Sequence, residues 1–245
     1  MTTVFVHGVP ETYRVWDGVR DCLADRPTIA VSLPGFGCPL PDGFVPNMDS
    51  YAAWLIEELE AMDGPVDLVG HDWGGGFTLR VVSLRPDLVS SWVTDAAGLA
   101  DVEFAWHQVA TIWQTPEAGE SLMDAQLAAT VADRAALYAG GGVSEAAAFT
   151  MASAFDRTMA DSILALYRSA TKVHEEWGPA FADIPKPGMA VVATADAYLD
   201  VESAERAARR AGARVTRLEG AGHWWMASDD PAPAAKMLEE FWDSL

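Results

Sequence analysis

The sequence has few basic residues, and this scarcity excludes one class of partner. Lysine and arginine together number 16 against 36 aspartate and glutamate residues, so the formal net charge at pH 7 is −20. A chain with this charge repels nucleic acid phosphates and anionic membrane surfaces. We therefore expect no nucleic acid and no membrane among its partners, and we attribute most of the surplus acid to solubility or to adaptation to salt or acid.

Cysteine and long apolar runs are also scarce. The sequence contains only Cys22 and Cys38, which form no Cys-x-x-Cys pair, and a chain of 245 residues needs no disulfide to fold. This usage is typical of a reducing compartment. No apolar run reaches the roughly 18 residues of a membrane span, and the opening "MTTVFVHG" lacks the basic start of a signal peptide. We predict a cytoplasmic protein.

Short apolar runs alternate with amphipathic stretches over most of the chain. The hydrophobic content of 50% is enough for one large core. Alternation of this kind predicts an α/β fold with a parallel sheet flanked by helices. Ser50 is the predicted N-cap of one helix. The predicted strands are "TVFVHG", "TIAVSLPG", "VDLVG", "SWVTDAAG", "MAVVAT" and "ARVTRLEG", and the predicted helices are 15–24, 50–62, 75–85, 200–211 and one opened by Asp230-Pro231.

Residues 100–182 depart from this alternation. They form Ala-rich and Trp-rich helical segments without a convincing strand, interrupted by "GGG" at 140–142 and closed by "DIPKPG". We interpret this stretch as a helical cap, or lid, inserted into an α/β core made of residues 1–99 and 183–245.

One glycine-rich turn carries an acidic residue at the position that a nucleophile occupies in many hydrolases. "GHDWGGG" at 70–76 follows the predicted strand "VDLV" and precedes the predicted helix "GGFTLRVVSLR". A G-x-nucleophile-x-G turn in this context lifts its central residue, Asp72, out of the sheet, and the helix N-terminus stabilises a negative charge there. Aspartate at such a position is also a common helix N-cap, which is the structural alternative.

Four segments together resemble the α/β-hydrolase superfamily. "VFVHGVP" at 4–10 is similar to its His-Gly-x-Pro segment, and the turn at Asp72 resembles the His-Asp-Trp-Gly-Gly form of its epoxide hydrolases and haloalkane dehalogenases. "PGMAVVATADAYLD" at 187–200 resembles the strand and loop that carry the acid, and "GAGHWWM" at 220–226 resembles the late histidine loop. The resemblance implies an α/β-hydrolase fold. Two antiparallel strands that usually precede the His-Gly-x-Pro strand are absent from this sequence, so we expect an N-terminally shortened sheet.

The resemblance implies a role for each matched residue. Asp72 would be the nucleophile and His223 the base that activates water, with Asp196 as the acid that orients the histidine. Asp95, at the end of the strand after the turn, is the alternative acid. The predicted oxyanion hole consists of the N–H groups of Val9 and Trp73, supported by the loop residues His7, Gly8 and Pro10.

An aspartate suits substitution at saturated carbon. Attack by serine on such a carbon would leave an inert ether, whereas attack by a carboxylate gives an ester that water can cleave. In this scheme His223 deprotonates water rather than the nucleophile.

The group that leaves the attacked carbon distinguishes epoxide opening from dehalogenation. "LALYRSA" at 164–170 resembles a cap segment of epoxide hydrolases and makes Tyr167 the predicted donor to an epoxide oxygen. Val109 stands where a second tyrosine is expected. A dehalogenase would instead need Trp73 and a second donor, Trp106, Trp113 or Trp177, to hold the halide. The candidates for the pocket and the leaving group are therefore Trp106, His107, Trp113 and Tyr138.

The leading hypothesis is an epoxide hydrolase that acts on a small apolar electrophile and water, as a monomer or homodimer. The first alternative is a haloalkane dehalogenase with the same catalytic residues, and the second is a ligand-binding protein that retains the fold without catalysis. No metal and no organic cofactor is expected, because His107 and His174 lack metal-ligand spacing and no P-loop or dinucleotide motif is present.

Overall fold

A computed structural model describes all 245 residues and contains one six-stranded sheet. Its strands lie in the order β2-β1-β3-β4-β5-β6, and every neighbouring pair is parallel. This confirms the predicted α/β fold with helices around a parallel sheet. The strands are β1 (Thr3–Val6), β2 (Thr28–Val31), β3 (Val66–Gly70), β4 (Val89–Thr94), β5 (Gly188–Ala193) and β6 (Arg214–Leu218).

Eleven α-helices and four short 3₁₀ turns complete the secondary structure. The helices are α1 (Asp17–Cys22), α2 (Met48–Glu60), α3 (Trp73–Leu84), α4 (Gln108–Gln114), α5 (Ala118–Ala128), α6 (Val131–Gly140), α7 (Glu145–Ala154), α8 (Arg157–Ser169), α9 (Val173–Glu176), α10 (Val201–Arg210) and α11 (Ala232–Trp242). None of them has both the length and the apolar character needed to cross a lipid bilayer.

The central strands are buried on both faces, as parallel strands covered by helices must be. Successive residues of a strand point to opposite faces, so each strand contributes to two core layers. Val4 of β1 packs in one layer with Leu55 of α2, and Phe5 packs in the other with Leu238 of α11. The alternation of apolar residues therefore places one helical layer on each side of the sheet.

Helix α2 begins earlier than its sequence indicates. The predicted N-cap was Ser50, but the side chain of Asn47 accepts the Ser50 N–H at 2.8 Å and the helix starts at Met48. Asparagine and serine are equally good caps, so the sequence pattern placed the boundary at the wrong one of two suitable residues.

Only helices lie between β4 and β5, and they cover the ends of the strands. Helix α4 packs against α5 and α8, and α6 packs against α7. Their apolar side chains continue the two core layers: Tyr167 of α8 joins the layer of Phe77, and Met151 of α7 joins the layer of Phe5. The boundaries of a cap at residues 100 and 182 stay a prediction.

Candidate active site

Asp72 lies at a sharp turn between β3 and α3 in a backbone conformation that is unfavourable for its residue type. Its φ is 50° and its ψ is −122°, which costs a non-glycine residue about 1 to 3 kcal/mol. A Cβ atom on Gly70 or Gly74 would overlap backbone carbonyl atoms, so these glycines allow the turn to close. The Asp72 side chain makes no capping hydrogen bond to α3, which disfavours the structural alternative of an N-cap.

The loop after β1 brings a backbone donor to the Asp72 carboxylate. The Val9 N–H donates to Asp72 Oδ1 at 2.9 Å, and the Trp73 N–H also stabilises the ionised carboxylate. A side chain at Gly8 would overlap the Asp72 side chain, so only glycine permits this approach. The two predicted oxyanion donors and the predicted nucleophile are thus brought together.

His7 holds the same loop in place through buried hydrogen bonds. Burial lowers its pKa to about 4, so the ring is neutral. Its Nε2 accepts the Leu33 N–H at 3.1 Å, and its Nδ1–H donates to the Gly8 carbonyl oxygen at 2.8 Å. Pro10 follows Val9 in the same loop. This arrangement fits the predicted supporting role of His7.

His223 and Asp196 form a hydrogen-bonded pair next to Asp72. Asp196 follows β5, His223 lies in the loop after β6, and His223 Nδ1 is 2.8 Å from Asp196 Oδ2. Burial alone would raise the pKa of Asp196, but the hydrogen bond and charge of His223 outweigh it and lower the pKa. An ionised Asp196 fixes the proton on Nδ1 and leaves Nε2 free to act as a base.

Asp95, the alternative acid, contacts other groups. Its Oδ1 accepts the Asp72 N–H at 2.8 Å, and its Oδ2 lies 2.5 Å from His71 Nδ1 and accepts the Trp225 indole N–H at 2.7 Å. It makes no hydrogen bond to His223. Asp95 therefore supports the backbone of the turn, and Asp196 is the acid in contact with the histidine.

A buried charge network, consisting of Glu11, His71 and Asp95, lies beneath the turn. The second ring nitrogen of His71 is 3.0 Å from Glu11 Oε1, and Glu11 also accepts the indole N–H of Trp224. Burial opposes charge on all three groups, but the two carboxylates raise the pKa of His71 well above its ordinary value. The imidazolium in turn lowers the pKa of Glu11 and of Asp95. His71 is thus a buried cation between two carboxylates.

The same region contains a cluster with the spacing of a metal site. Ligand atoms of Glu11, His71 and His223 all lie within 4.8 Å of one another. However, both nitrogens of His71 are hydrogen-bonded to carboxylates, and a protonated imidazole has no lone pair for a metal. The donor set therefore fits an ionic network better than a metal centre.

Two cavities meet at Asp72 and His223. The smaller, of about 80 Å³, extends from Asp95 toward Trp106. The larger, of about 650 Å³, lies under the helices between β4 and β5, and its volume is within the range of small-molecule sites. Val9, Val109, Trp113, Tyr138 and Tyr167 line the larger cavity.

Tyr167 has the properties of a neutral donor. It is 1% exposed, and burial together with the nearby Asp72 carboxylate raises its pKa well above the ordinary value. The phenol therefore keeps its proton throughout the physiological pH range. Its side chain lines the larger cavity, with the Trp73 side chain beside its hydroxyl.

The candidate indole donors separate into two groups. The Trp106 N–H donates to the Ala170 carbonyl oxygen at 3.1 Å, and the Trp177 N–H donates to Asp49 at 3.0 Å, so both are already used. The indole N–H groups of Trp73 and Trp113 are buried and have no partner. Both rings contact the ring of Tyr167.

His107 and Tyr198 lie where the two cavities join. His107 Nδ1 accepts the Ala110 N–H at 3.2 Å as the N-cap of α4, and burial lowers its pKa to about 4. The neutral ring therefore carries its proton on Nε2, which is available as a donor. Tyr198 is not among the predicted site residues, although it stands two residues after Asp196. Its ring centroid is 4.9 Å from that of His223.

The electrostatics of Asp72 predict that its ionisation lowers the stability of the fold. Burial raises its pKa from the ordinary value of 3.8 to about 6, against the opposing charges of His223 and His71. The folded protein thus binds this proton more tightly than the unfolded chain does. The corresponding contribution to the free energy of unfolding is lost as pH rises from about 4 to about 6.

We expect Asp72→Asn to stabilise the fold at pH 8 by roughly 1 to 3 kcal/mol, because a neutral side chain avoids the cost of the buried charge. Urea unfolding at pH 8 and pH 4 measures the difference, which should shrink at pH 4. Asp229→Asn, at an exposed loop position, is the control and should change neither value. Equal stability of Asp72→Asn and wild type at both pH values would contradict this account.

Comparisons with known proteins agree with this architecture. A model of the family described as "Alpha/beta hydrolase family" matches residues 3–236. "Lipase LipV" of Mycobacterium tuberculosis is 34% identical over 91 residues, and this match covers 36% of the present chain and 34% of the lipase. The chain thus spans about a third of the curated relative it matches.

Among the similar solved structures, two are matched over about nine tenths of their length. Epoxide Hydrolase A from Mycobacterium thermoresistibile has a TM-score of 0.78 at 21% identity, with 100% of this chain and 91% of that chain covered. A loop variant of haloalkane dehalogenase DbeA from Bradyrhizobium elkanii has a TM-score of 0.73 at 19% identity, covering 99% and 90%. At these identities the similarity establishes the fold, and enzymes of different chemistry share it.

Proposed function

Because the chain belongs to the alpha/beta hydrolase family, we propose that it is a hydrolase that opens epoxides to diols through an ester intermediate on Asp72. The observation that carries the proposal is the residue at the strained turn. A carboxylate, not a hydroxyl, stands there, with the Val9 N–H at 2.9 Å from its oxygen and the His223–Asp196 pair beside it. The similarity to an epoxide hydrolase structure is consistent with the proposal.

In the first step the Asp72 carboxylate attacks an epoxide carbon. The C–O bond to that carbon breaks, and the departing oxygen takes a proton. Tyr167 is the proposed donor, since its hydroxyl is protonated and its side chain lies in the wall of the same cavity. The Nε2–H of His107, at the junction of the two cavities, is a second neutral donor.

In the second step water cleaves the ester at the Asp72 carboxyl carbon. His223 removes a proton from the water, and Asp196 stabilises the resulting imidazolium, which passes this proton to the departing diol oxygen. The second proton of the water replaces the one that Tyr167 gave up. The negative charge that develops on the Asp72 oxygen is held by the N–H groups of Val9 and Trp73. Each such donor is typically worth about 10² to 10³ in rate.

Haloalkane dehalogenation is the second candidate, and one observation favours it. The indole N–H groups of Trp73 and Trp113 are buried without partners, and a halide leaving group needs such donors in an apolar pocket. We rank it below epoxide opening because Tyr167 and His107 supply the proton that an epoxide oxygen requires and a halide does not.

Two substrates and one variant test the assignment. We expect the wild-type protein to convert styrene oxide to its diol and to release little bromide from 1-bromobutane. Tyr167→Phe should slow diol formation by about 10- to 100-fold, because the leaving oxygen loses a hydrogen bond and its proton source. Chromatography of the diol and a bromide assay measure both reactions.

Matched controls keep the test specific. Tyr13→Phe, in the 3₁₀ turn Tyr13–Trp16 and outside both cavity walls, should leave both rates unchanged. Bromide release without diol formation, unaffected by Tyr167→Phe, would replace epoxide hydrolysis by dehalogenation as the proposed function.

A further inference from the structure

One basic side chain lies in the wall of the larger cavity. Arg134 of α6 is 8% exposed and is the only lysine or arginine that lines either of the two cavities at Asp72. Its guanidinium pairs with carbonyl oxygens and with no carboxylate. Because the chain carries a net charge of −20, a buried arginine without an acidic partner is conspicuous.

The carbonyl contacts of Arg134 use only some of the N–H donors of its guanidinium. Its Nε–H donates to the Ala152 oxygen at 3.1 Å, and Nη1 donates to the Gln126 oxygen at 2.9 Å and the Ala129 oxygen at 2.7 Å. These carbonyls lie at the C-terminal ends of α5 and α7, where a cation is favourable. The Nη2 group makes no hydrogen bond within the chain and keeps accessible surface. Arginine thus holds two helix ends and still has a free donor.

A second unused donor lies one helical turn from Arg134. Tyr138 is four residues later on α6, so the two side chains share a face of the helix. Tyr138 is 9% exposed and lines the same cavity, and its hydroxyl makes no hydrogen bond within the chain. The face formed by Arg134 and Tyr138, which we call the α6 donor face, therefore offers a guanidinium N–H and a phenol O–H together.

We propose that the α6 donor face binds a carboxylate carried by the substrate, at the cap side of the cavity that has Asp72 at its other, sheet side. The substrate class is then an electrophile, an epoxide under the function proposed above, with a carboxylate on a separate part of the molecule. The reaction rests on that proposed function, whereas the carboxylate binding rests on the cavity alone.

Charge and hydrogen bonding both favour this occupant. The helix-end carbonyls and the Phe155 ring stabilise the Arg134 cation but carry no negative charge, and a carboxylate would supply that charge and accept both free donors. The overall negative charge of the protein disfavours anions, so their binding depends on this local positive group. A neutral substrate would leave the Nη2 donor unpaired.

Binding of a matched pair of inert ligands tests the proposal without any turnover. We expect 4-phenylbutyrate to bind the wild-type protein roughly 10- to 100-fold more tightly than 4-phenylbutyramide at pH 7.5, as charge-assisted hydrogen bonds predict. Arg134→Met should remove this preference while leaving the affinity for the amide within about three-fold, and Tyr138→Phe should reduce it. Calorimetry, or quenching of the fluorescence of Trp113 and Trp224 in the cavity wall, gives the dissociation constants.

Two further variants separate binding from folding. Arg157→Met alters an exposed arginine of α8 that pairs with Asp124 and should keep the full preference. Arg134→Lys retains the charge and should keep part of it. If Arg134→Met does not fold by circular dichroism, the Arg134→Lys and Tyr138→Phe variants decide, because a preference that is undiminished in both would overturn the proposal.

The remaining outcomes are also decisive. Equal affinity of the wild-type protein for the two ligands would overturn the proposal, and an equal loss of both affinities in Arg134→Met would assign the residue solely to holding α5 and α7. A carboxylate preference without hydrolysis of any epoxide would refute only the proposed reaction. Hydrolysis of styrene oxide without a carboxylate preference would refute only the present inference.

Discussion

The His223→Gln variant is expected to accumulate a covalent adduct with styrene oxide. Asp72 can still attack the epoxide, because its carboxylate and the Val9 donor are unchanged. The ester then persists, since glutamine cannot take a proton from water. We expect the steady-state rate to fall by at least about 10³-fold, and the mass of the intact protein to increase by that of the substrate.

Peptide mapping locates the adduct and thereby tests the mechanism. The added mass should lie on the peptide that contains Asp72. The double variant that carries both Asp72→Asn and His223→Gln should gain no mass. His174→Gln, which changes a histidine outside both cavity walls, should turn over normally. A protein that binds styrene oxide reversibly but never gains mass with any electrophile would favour the non-catalytic alternative.

Isotope labelling gives an independent view of the same ester. One turnover of the wild-type protein in water enriched in oxygen-18 should place the label in the Asp72 carboxylate, because water attacks the carboxyl carbon of the ester. Direct attack of water on the epoxide would place it in the diol alone. Label in the diol alone would rule out Asp72 as the nucleophile, even if the Asp72→Asn variant were inactive.

The three residues predicted as nucleophile, acid and base share one property: each stands in a short motif at the end of a predicted strand. Asp72, Asp196 and His223 follow β3, β5 and β6, and the ends of parallel strands meet at one edge of a sheet. Alternating apolar runs predict the sheet, so the approximate position of these side chains follows from the fold.

The buried network illustrates what the sequence could not supply. Glu11 follows the His-Gly-x-Pro segment directly, yet nothing in the order of residues indicates that it contacts His71, which is 60 positions away. Likewise Tyr198 has no motif of its own, and its position depends on the path of the loop after β5. The one available signal for Glu11 was an acidic residue directly after the apolar pair Val9-Pro10.

The helices over the strand ends were the least predictable part. Their sequences indicate helices but not packing angles, so the candidate donors Trp106, His107, Trp113 and Tyr138 could not be ranked. The structure distinguishes them by their hydrogen bonds: the Trp106 N–H is used, His107 retains a free Nε2–H, and Trp113 has an unpaired N–H. Such bonds depend on distances of a few tenths of an ångström, which no sequence pattern encodes.

The opposite pKa shifts of the two carboxyl groups suggest different roles. Burial raises the pKa of Asp72 to about 6, whereas contact with His223 lowers that of Asp196. A poorly solvated carboxylate is a better nucleophile than a well-solvated one, and a firmly ionised carboxylate is suited to stabilising an imidazolium. The groups are therefore not interchangeable, although both are aspartates in one cavity.

Asp196→Asn is accordingly expected to lower the rate of ester hydrolysis by up to about 10⁴-fold, because an amide favours the wrong tautomer of His223 and cannot stabilise its cation. Formation of the ester should be nearly unaffected, since Asp72 needs no base. Rapid-quench mass spectrometry with styrene oxide separates the two rates, and the variant should show a burst of adduct followed by slow decay.

Asp95→Asn is the matched control, and it should lower the stability of the fold more than the rate of ester hydrolysis. Asp95 contacts His71 and the Asp72 backbone rather than His223. Its neutralisation leaves the buried cation with one carboxylate and should cost about 3 to 5 kcal/mol of the free energy of unfolding, with a smaller loss of ester hydrolysis than Asp196→Asn. If hydrolysis instead stopped in Asp95→Asn and continued in Asp196→Asn, the acid would be Asp95, and the hydrogen bond between His223 and Asp196 would have no catalytic role.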